Sequence, residues 1–358
     1  MAVAVAGKRV GQATVAFERP PALVGAASVV GPREGRGPLG REFDVVKDDD
    51  LLGEASWEKA EARMLVEACR TALRKANLQA HDVDYLLAGD LLNQLVSASC
   101  AARDLSLPYL GLFGACATIV EALALAAMLI DGGFARFVLA ASSSHHNAAE
   151  RQFRFPTEFA TQRPPTAQWT VTAAAAIVVA AEGAGPVLTH ATVGRVVDMG
   201  AQDVNDMGAA MAPAAADTVW QHLRDLGRQP RDCGLILSGD LGHHGARLAR
   251  ELLGRTGVDI GSAYADCGAL VFGAEQDAHA GGSGSGCAAA VFASHVLPRL
   301  QRGELDAALV VGTGALFSPT VVQQGETIPC VAHAVAVRGP GAYGAGPGVG
   351  PERGDARA

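Results

Sequence analysis

The sequence predicts an α/β fold built from two duplicated βα halves, and three observations point to it. Under a shift of 150, "YLLAGDL" (85–91) falls on "LILSGDL" (235–241), with four of seven residues identical. A shift of 171 lays 114–143 on 285–314 without a gap. Cys116 then meets Cys287, Ala117 meets Ala288, Val120 meets Val291 and Gly132 meets Gly303. Only six of those thirty positions are identical, so the shared order carries more weight than the identities. That order is a strand ending in Gly-Asp, a glycine turn, a cysteine, a helix, a glycine stop and a strand. The third observation is that the helix after Cys116 carries one charge, Glu121, before Asp131. A helix apolar on nearly all faces must be covered on all sides. Two such helices, one from each half, are satisfied between two sheets.

The elements follow in order. "ALVGAASVV" (22–30) reads as a strand, and "GPREGRGPLG" (31–40) as a surface loop without the Lys-Ser/Thr ending of a phosphate loop. Ser56 is a good N-cap, with Glu58 in the first turn and Trp57, Ala60, Met64, Ala68 and Leu73 at helical spacing. "YLLAGDLLN" (85–93) is a strand with a polar tip. A short helix near 97–105 leads to a strand at 108–113 and then to the Cys116 helix, which Gly132–Gly133 stops. "FARFVLAASSSHH" (134–146) is a strand ending in a polar cluster. Residues 147–169 make an irregular excursion, and 170–181 return to strand. The second half repeats the pattern: helix 208–226, strand 234–242, helix about 244–254, glycine turn and helix 281–303, strands 306–316 and 328–338. The expected units are an N-terminal segment 1–20, halves 21–182 and 183–338, and a disordered Gly/Pro-rich tail 339–358.

Bulk properties narrow the function. The 358 residues are 49% hydrophobic and 18% charged, enough for a large core. The formal charge is −8 with no basic block, so nucleic acid is excluded as a partner. The N-terminus lacks a signal-peptide core, and the longest apolar runs (122–130 and 173–181) fall short of the roughly 20 residues that span a bilayer. A soluble chain, at most peripheral to a membrane, is expected. The seven cysteines are odd in number and widely spaced, which suits reduced thiols in a cytosol. No CxxC or HExxH occurs, so no metal site is expected, and no cofactor.

Cys116 sits where a helix N-terminus presents unpaired N–H groups and partial positive charge. That setting lowers a thiol's pKa, and it also favours a bound carboxylate. Position alone leaves three uses open: nucleophile, ligand contact, or small buried filler.

Strand, "GACAT", apolar helix, "DGG" and strand, all duplicated, resemble the thiolase and ketoacyl-synthase superfamily. The resemblance implies a thiolase-like fold, a five-layered αβαβα sandwich, with Cys116 at the acylated-nucleophile position. "VGPREGRGPLG", "LAGDLLNQ", "GLFGACAT", "ERQFRFPTEF", "PPTAQWTVT", "DMGAAMAPAAADT" and "SPTVVQQGETIPCVAHAV" resemble one branch more closely, the stage V sporulation protein AD family, over roughly residues 8–338. This implies non-catalytic binding of dipicolinic acid (pyridine-2,6-dicarboxylate) for uptake into the developing spore. It also implies other stage V sporulation membrane proteins as partners, a homodimer, and a peripheral place on the cytoplasmic side of the spore or forespore inner membrane.

The residues support a demotion from enzyme. Condensing relatives place His with His or Asn on loops of the second half. Here Gly239–Asp240 occupy the first position, and His243 and His244 come later. The glycine turn offers Ser283 and Ser285, with His279 just ahead. Cys330 matches the second thiolase cysteine, but "VAHAV" replaces the glycine run after it. Candidate ligand contacts are Cys116, Ala117, Thr118, Ser144, His145, Arg151, Arg154 and His333, the arginines because their fork matches a carboxylate. Asp90 and Asp240 read as structural acceptors for backbone N–H groups. The alternatives are a Cys116-dependent acyltransferase or 3-ketoacyl synthase, and a scaffold subunit of a membrane channel assembly.

Overall fold

The computed structural model describes residues 7–153 and 163–340. Each half contributes five strands in the same spatial order. In the first half the order is Tyr109–Gly111, Tyr85–Gly89, Phe137–Ser144, Ala173–Ala180, Ala22–Val30. In the second it is Tyr264–Asp266, Leu235–Ser238, Ala307–Ala315, Cys330–Arg338, Val187–Val193. The first three strands of each set run parallel, the fourth runs against them, and the fifth runs against the fourth. The sheets meet at a single register pair, Val187 with Ala22.

Three apolar clusters make the layers. The central one joins Thr118–Asp131 to Ser285–Val291 and its continuation, between the facing sheets. One outer cluster packs Trp57–Lys75 and Val96–Leu105 on the first sheet. The other packs Met207–Leu226 and Gly242–Arg255 on the second. This is the expected five-layered, thiolase-like sandwich. The strand "AAAAIVVA" is wholly buried because helices cover both its faces.

Several local expectations shift. The second buried helix changes to a π-turn over Phe292–Val296 before resuming at Leu297–Gln301, just where Pro298 cannot donate an i→i−4 bond. The excursion after residue 146 begins as a helix, His146–Phe153, rather than irregular chain. Strands Val187–Val193 and Tyr264–Asp266 complete the second sheet and lay outside the sequence reading. Among the described residues, no helix is long and apolar enough to cross a membrane.

Candidate functional site

Cys116 lies in a 3₁₀ turn, Ala115–Ala117, that precedes the buried helix Thr118–Asp131. Ala115 takes a left-handed conformation (φ 50°), which suits a small side chain. The turn presses against the second half. A Cβ on Gly314 would lie 2.2 Å from the carbonyl oxygen of Gly114, so glycine is required for this approach.

The thiol opens on a cavity of about 110 Å³. Its apolar walls are Leu91, Phe113, Phe153, Met207, Met211 and Phe317, and its polar groups include Glu150, Gln168, Thr170, Asn205 and Ser283. Walls therefore come from both halves. A crossover strand builds the floor: Trp169–Thr170 pairs in parallel with Gly282–Ser283. Trp169 is fixed by stacking on His146 at 3.8 Å and 2°, with the Arg33 guanidinium 3.7 Å from its centroid. This pairing sets Ser283 4.0 Å from the Cys116 sulfur.

Asp240 completes the group. Its carboxylate accepts from Ser283 Oγ at 2.7 Å, Thr313 Oγ1 at 2.6 Å and Gly284 N at 3.0 Å. It reaches the Cys116 thiol through Ser283, which stands between them, and its charge acts on that thiol. Burial, reinforced by this carboxylate, pushes the Cys116 thiol well above its ordinary range. The expected lowering at a helix tip is thus overturned: Ala117 N donates to Gly114 O at 3.0 Å, inside the turn, and desolvation dominates. Asp240 itself is raised by burial, against the hydrogen bonds from Thr313, Gly284 and Ser283.

Of the predicted ligand contacts, the structure brings Cys116 alone to the cavity among the described residues. The Ala117 N–H is used within the turn. Thr118 Oγ1 donates to Ala115 O at 2.7 Å and accepts from Gly114 N, so its hydroxyl is spent locally. Ser144 Oγ donates to Val171 O at 2.7 Å and accepts from Gly286 N at 3.1 Å, fastening the other buried helix. His145 is buried against Asp50 O at 2.8 Å, and burial lowers its pKa. Arg151 pairs with Glu58 and lies over Trp57, outside the cavity. Arg154 lies outside the described residues. His333 accepts from Gly194 N at 3.2 Å in its strand.

The two carboxylates at the strand ends differ. Asp90 accepts from Leu92 N at 2.8 Å and Ala98 N at 2.7 Å, as expected of a structural group. Asp240 does more than the structural reading allowed, because it also borders the thiol. His243, His244, His279 and Cys330 do not line the cavity. Gln168, Asn205 and the three phenylalanines were missed. Gln168 lies inside the quoted motif "PPTAQWTVT", the one sequence signal that marked it.

The matches to known proteins agree with this architecture. The family model for stage V sporulation protein AD matches residues 11–338. Stage V sporulation protein AD of Bacillus subtilis (strain 168) is 48% identical over 328 residues, covering 92% of this chain and 97% of that protein. Among solved structures, 3-oxoacyl-[acyl-carrier-protein] synthase III from Aquifex aeolicus VF5 has a TM-score of 0.56 at 14% identity, covering 89% of this chain and 99% of that one. OleA of Xanthomonas campestris bound with cerulenin has a TM-score of 0.59 at 15% identity, covering 90% of this chain and 97% of that one. These likenesses establish the fold. The chain belongs to the stage V sporulation protein AD family, whose role lies in sporulation.

Proposed function

We propose that this chain binds dipicolinic acid without turning it over and so serves its uptake into the developing spore. One observation carries the reading: Ser283 stands 4.0 Å from the thiol with Asp240 behind it, at a place where the resemblance to condensing enzymes implies a proton-handling His or Asn. Among the described residues no histidine lines the cavity. A thiol raised by burial and a neighbouring carboxylate stays protonated at neutral pH, which deprives it of nucleophilic force. A cavity walled by three phenylalanine rings, with a polar floor, suits a small flat ring carrying polar ends. Arg163 bonds Glu150 at 2.8 Å on the wall and supplies positive charge there. The resemblance supports the remaining parts of the proposal: a homodimer, docked peripherally on the forespore inner membrane beside other stage V sporulation membrane proteins.

Calorimetry with dipicolinate tests the binding. Saturable heat that survives Cys116→Ala is expected, with no acyl mass on Cys116 after exposure to acyl-CoA. An acyl-Cys116 species, with turnover lost in Cys116→Ala, would establish the acyltransferase instead. Absence of heat at millimolar ligand would leave the scaffold role.

A further inference from the structure

Gln168 is a buried polar side chain of the cavity, held by two hydrogen bonds. It stands one residue before the strand Trp169–Thr170, and its amide reaches the second half. The residue is only 7% exposed. Its Nε2 donates to Asp240 O at 2.6 Å and Gly282 O at 2.9 Å. Both partners are carbonyls and can only accept, so the amide has one possible orientation. Its Oε1 is buried without a hydrogen-bond partner, on a residue that lines the cavity. Buried acceptors are rarely left unpaired, because the lost hydration is not returned.

We propose that Gln168 is a specificity-determining residue that takes a hydrogen-bond donor from the ligand, so that a pyridine dicarboxylic acid is held with one carboxyl protonated. This rests on the diacid reading of the cavity. The surrounding charges agree with it. Cys116 faces the site from its turn and Glu150 from the His146–Phe153 helix with Arg163 upon it, while Asp240 lies behind Ser283 in the second half. Asp266 lies behind Asp240, accepting from Leu241 N and Gly242 N. Among the described residues these three carboxyl groups stand against two guanidiniums, Arg163 and Arg33, both on Trp169, a balance that does not favour a second negative charge on the ligand. Carboxyl groups titrate near pH 4, so the free diacid is ionised at neutral pH and binding takes up one proton.

Calorimetry on the full chain at pH 7, in two buffers of different ionisation heat, reads that proton. Three probes are compared: dipicolinate, its monoamide and its methyl monoester. Dipicolinate is expected to take up about one proton and to weaken about tenfold per pH unit above neutrality. The monoamide carries its own N–H donor, so it is expected to bind without proton uptake. The monoester, lacking that donor, should bind about tenfold more weakly than the monoamide. In Gln168→Met, with folding checked by circular dichroism, the proton uptake should vanish. The ligand series reads the same atom in the unaltered chain. Dipicolinate binding without proton uptake, or equal affinity for monoamide and monoester, overturns the inference alone. So does proton uptake that persists in Gln168→Met, which would assign it to Asp240 or Glu150. Absence of heat from all three probes overturns the diacid reading and this inference with it.

Discussion

Two equivalent corners of the duplicated fold differ by a few side chains. Under the shift of 171, Ser142, Ser143 and Ser144 fall on Thr313, Gly314 and Ala315. In the first half the serines are fasteners. Ser142 Oγ donates to Ser285 O at 2.6 Å, Ser285 Oγ donates to Ser143 O, and Ser144 accepts from Gly286 N. They clamp the start of the second buried helix, and Cys287 is sealed at 0% exposure. In the second half Gly314 admits the Cys116 turn, and Ala315 lines the cavity that its small side chain leaves open. The same frame thus closes over one cysteine and opens over its twin, by the size and hydrogen bonding of two consecutive residues.

The sharpest way to break this comparison is Gly314→Ser, which writes the first half's residue into the second. The added Cβ meets backbone at 2.2 Å, so the turn must move. A loss of about 3 kcal/mol is expected in urea unfolding, and unchanged stability would show that the glycine is incidental. Next comes the carboxylate pair. Asp240→Asn and Asp90→Asn should each lose about 1–3 kcal/mol, because each disturbs buried acceptors. Only Asp240→Asn should speed alkylation of Cys116 at fixed pH, since it removes the charge that helps hold the thiol up. Equal alkylation rates in the two variants would erase the distinction between the halves.

The smallest effect concerns pH. Each half buries one carboxyl that desolvation raises to about 7, Glu34 in the first and Asp266 in the second. A raised acid holds its proton longer when folded. Its contribution is therefore complete below its unfolded pKa and is lost as pH climbs through about 7. Glu34→Gln should stabilise the protein near pH 8 and do nothing near pH 4, leaving the shares of Asp266 and of the other buried carboxyls that burial raises, Glu61, Asp90 and Asp240. A slope unchanged by Glu34→Gln would remove that carboxyl from the account.

The repeat was legible because period, glycine stops and apolar runs are local signals. The strand Ala22–Val30 and the helix after Ser56 stand where the pattern put them. Cys116 was legible as a pocket residue because a glycine turn before an apolar helix leaves few places for a thiol to go. The other contacts were not. Ser144 and His145 are close to the site in sequence order, but their partners, Gly286 and Asp50, come from distant segments that claim them first. Gln168 is the converse: an unremarked amide that matters only because the segment leading into Trp169–Thr170 brings it against Asp240. Thiol acidity was misjudged for the same reason, since the helix-tip effect is local while desolvation is set by the whole fold.

The pairing of Trp169–Thr170 with Gly282–Ser283 has a wider consequence. It places the cavity on the joint between repeats, so neither repeat owns it. A fragment holding one repeat would keep its sheet and its cysteine yet lack half of the walls. A cut placed at the boundary should therefore take the cavity apart even where both pieces stay folded.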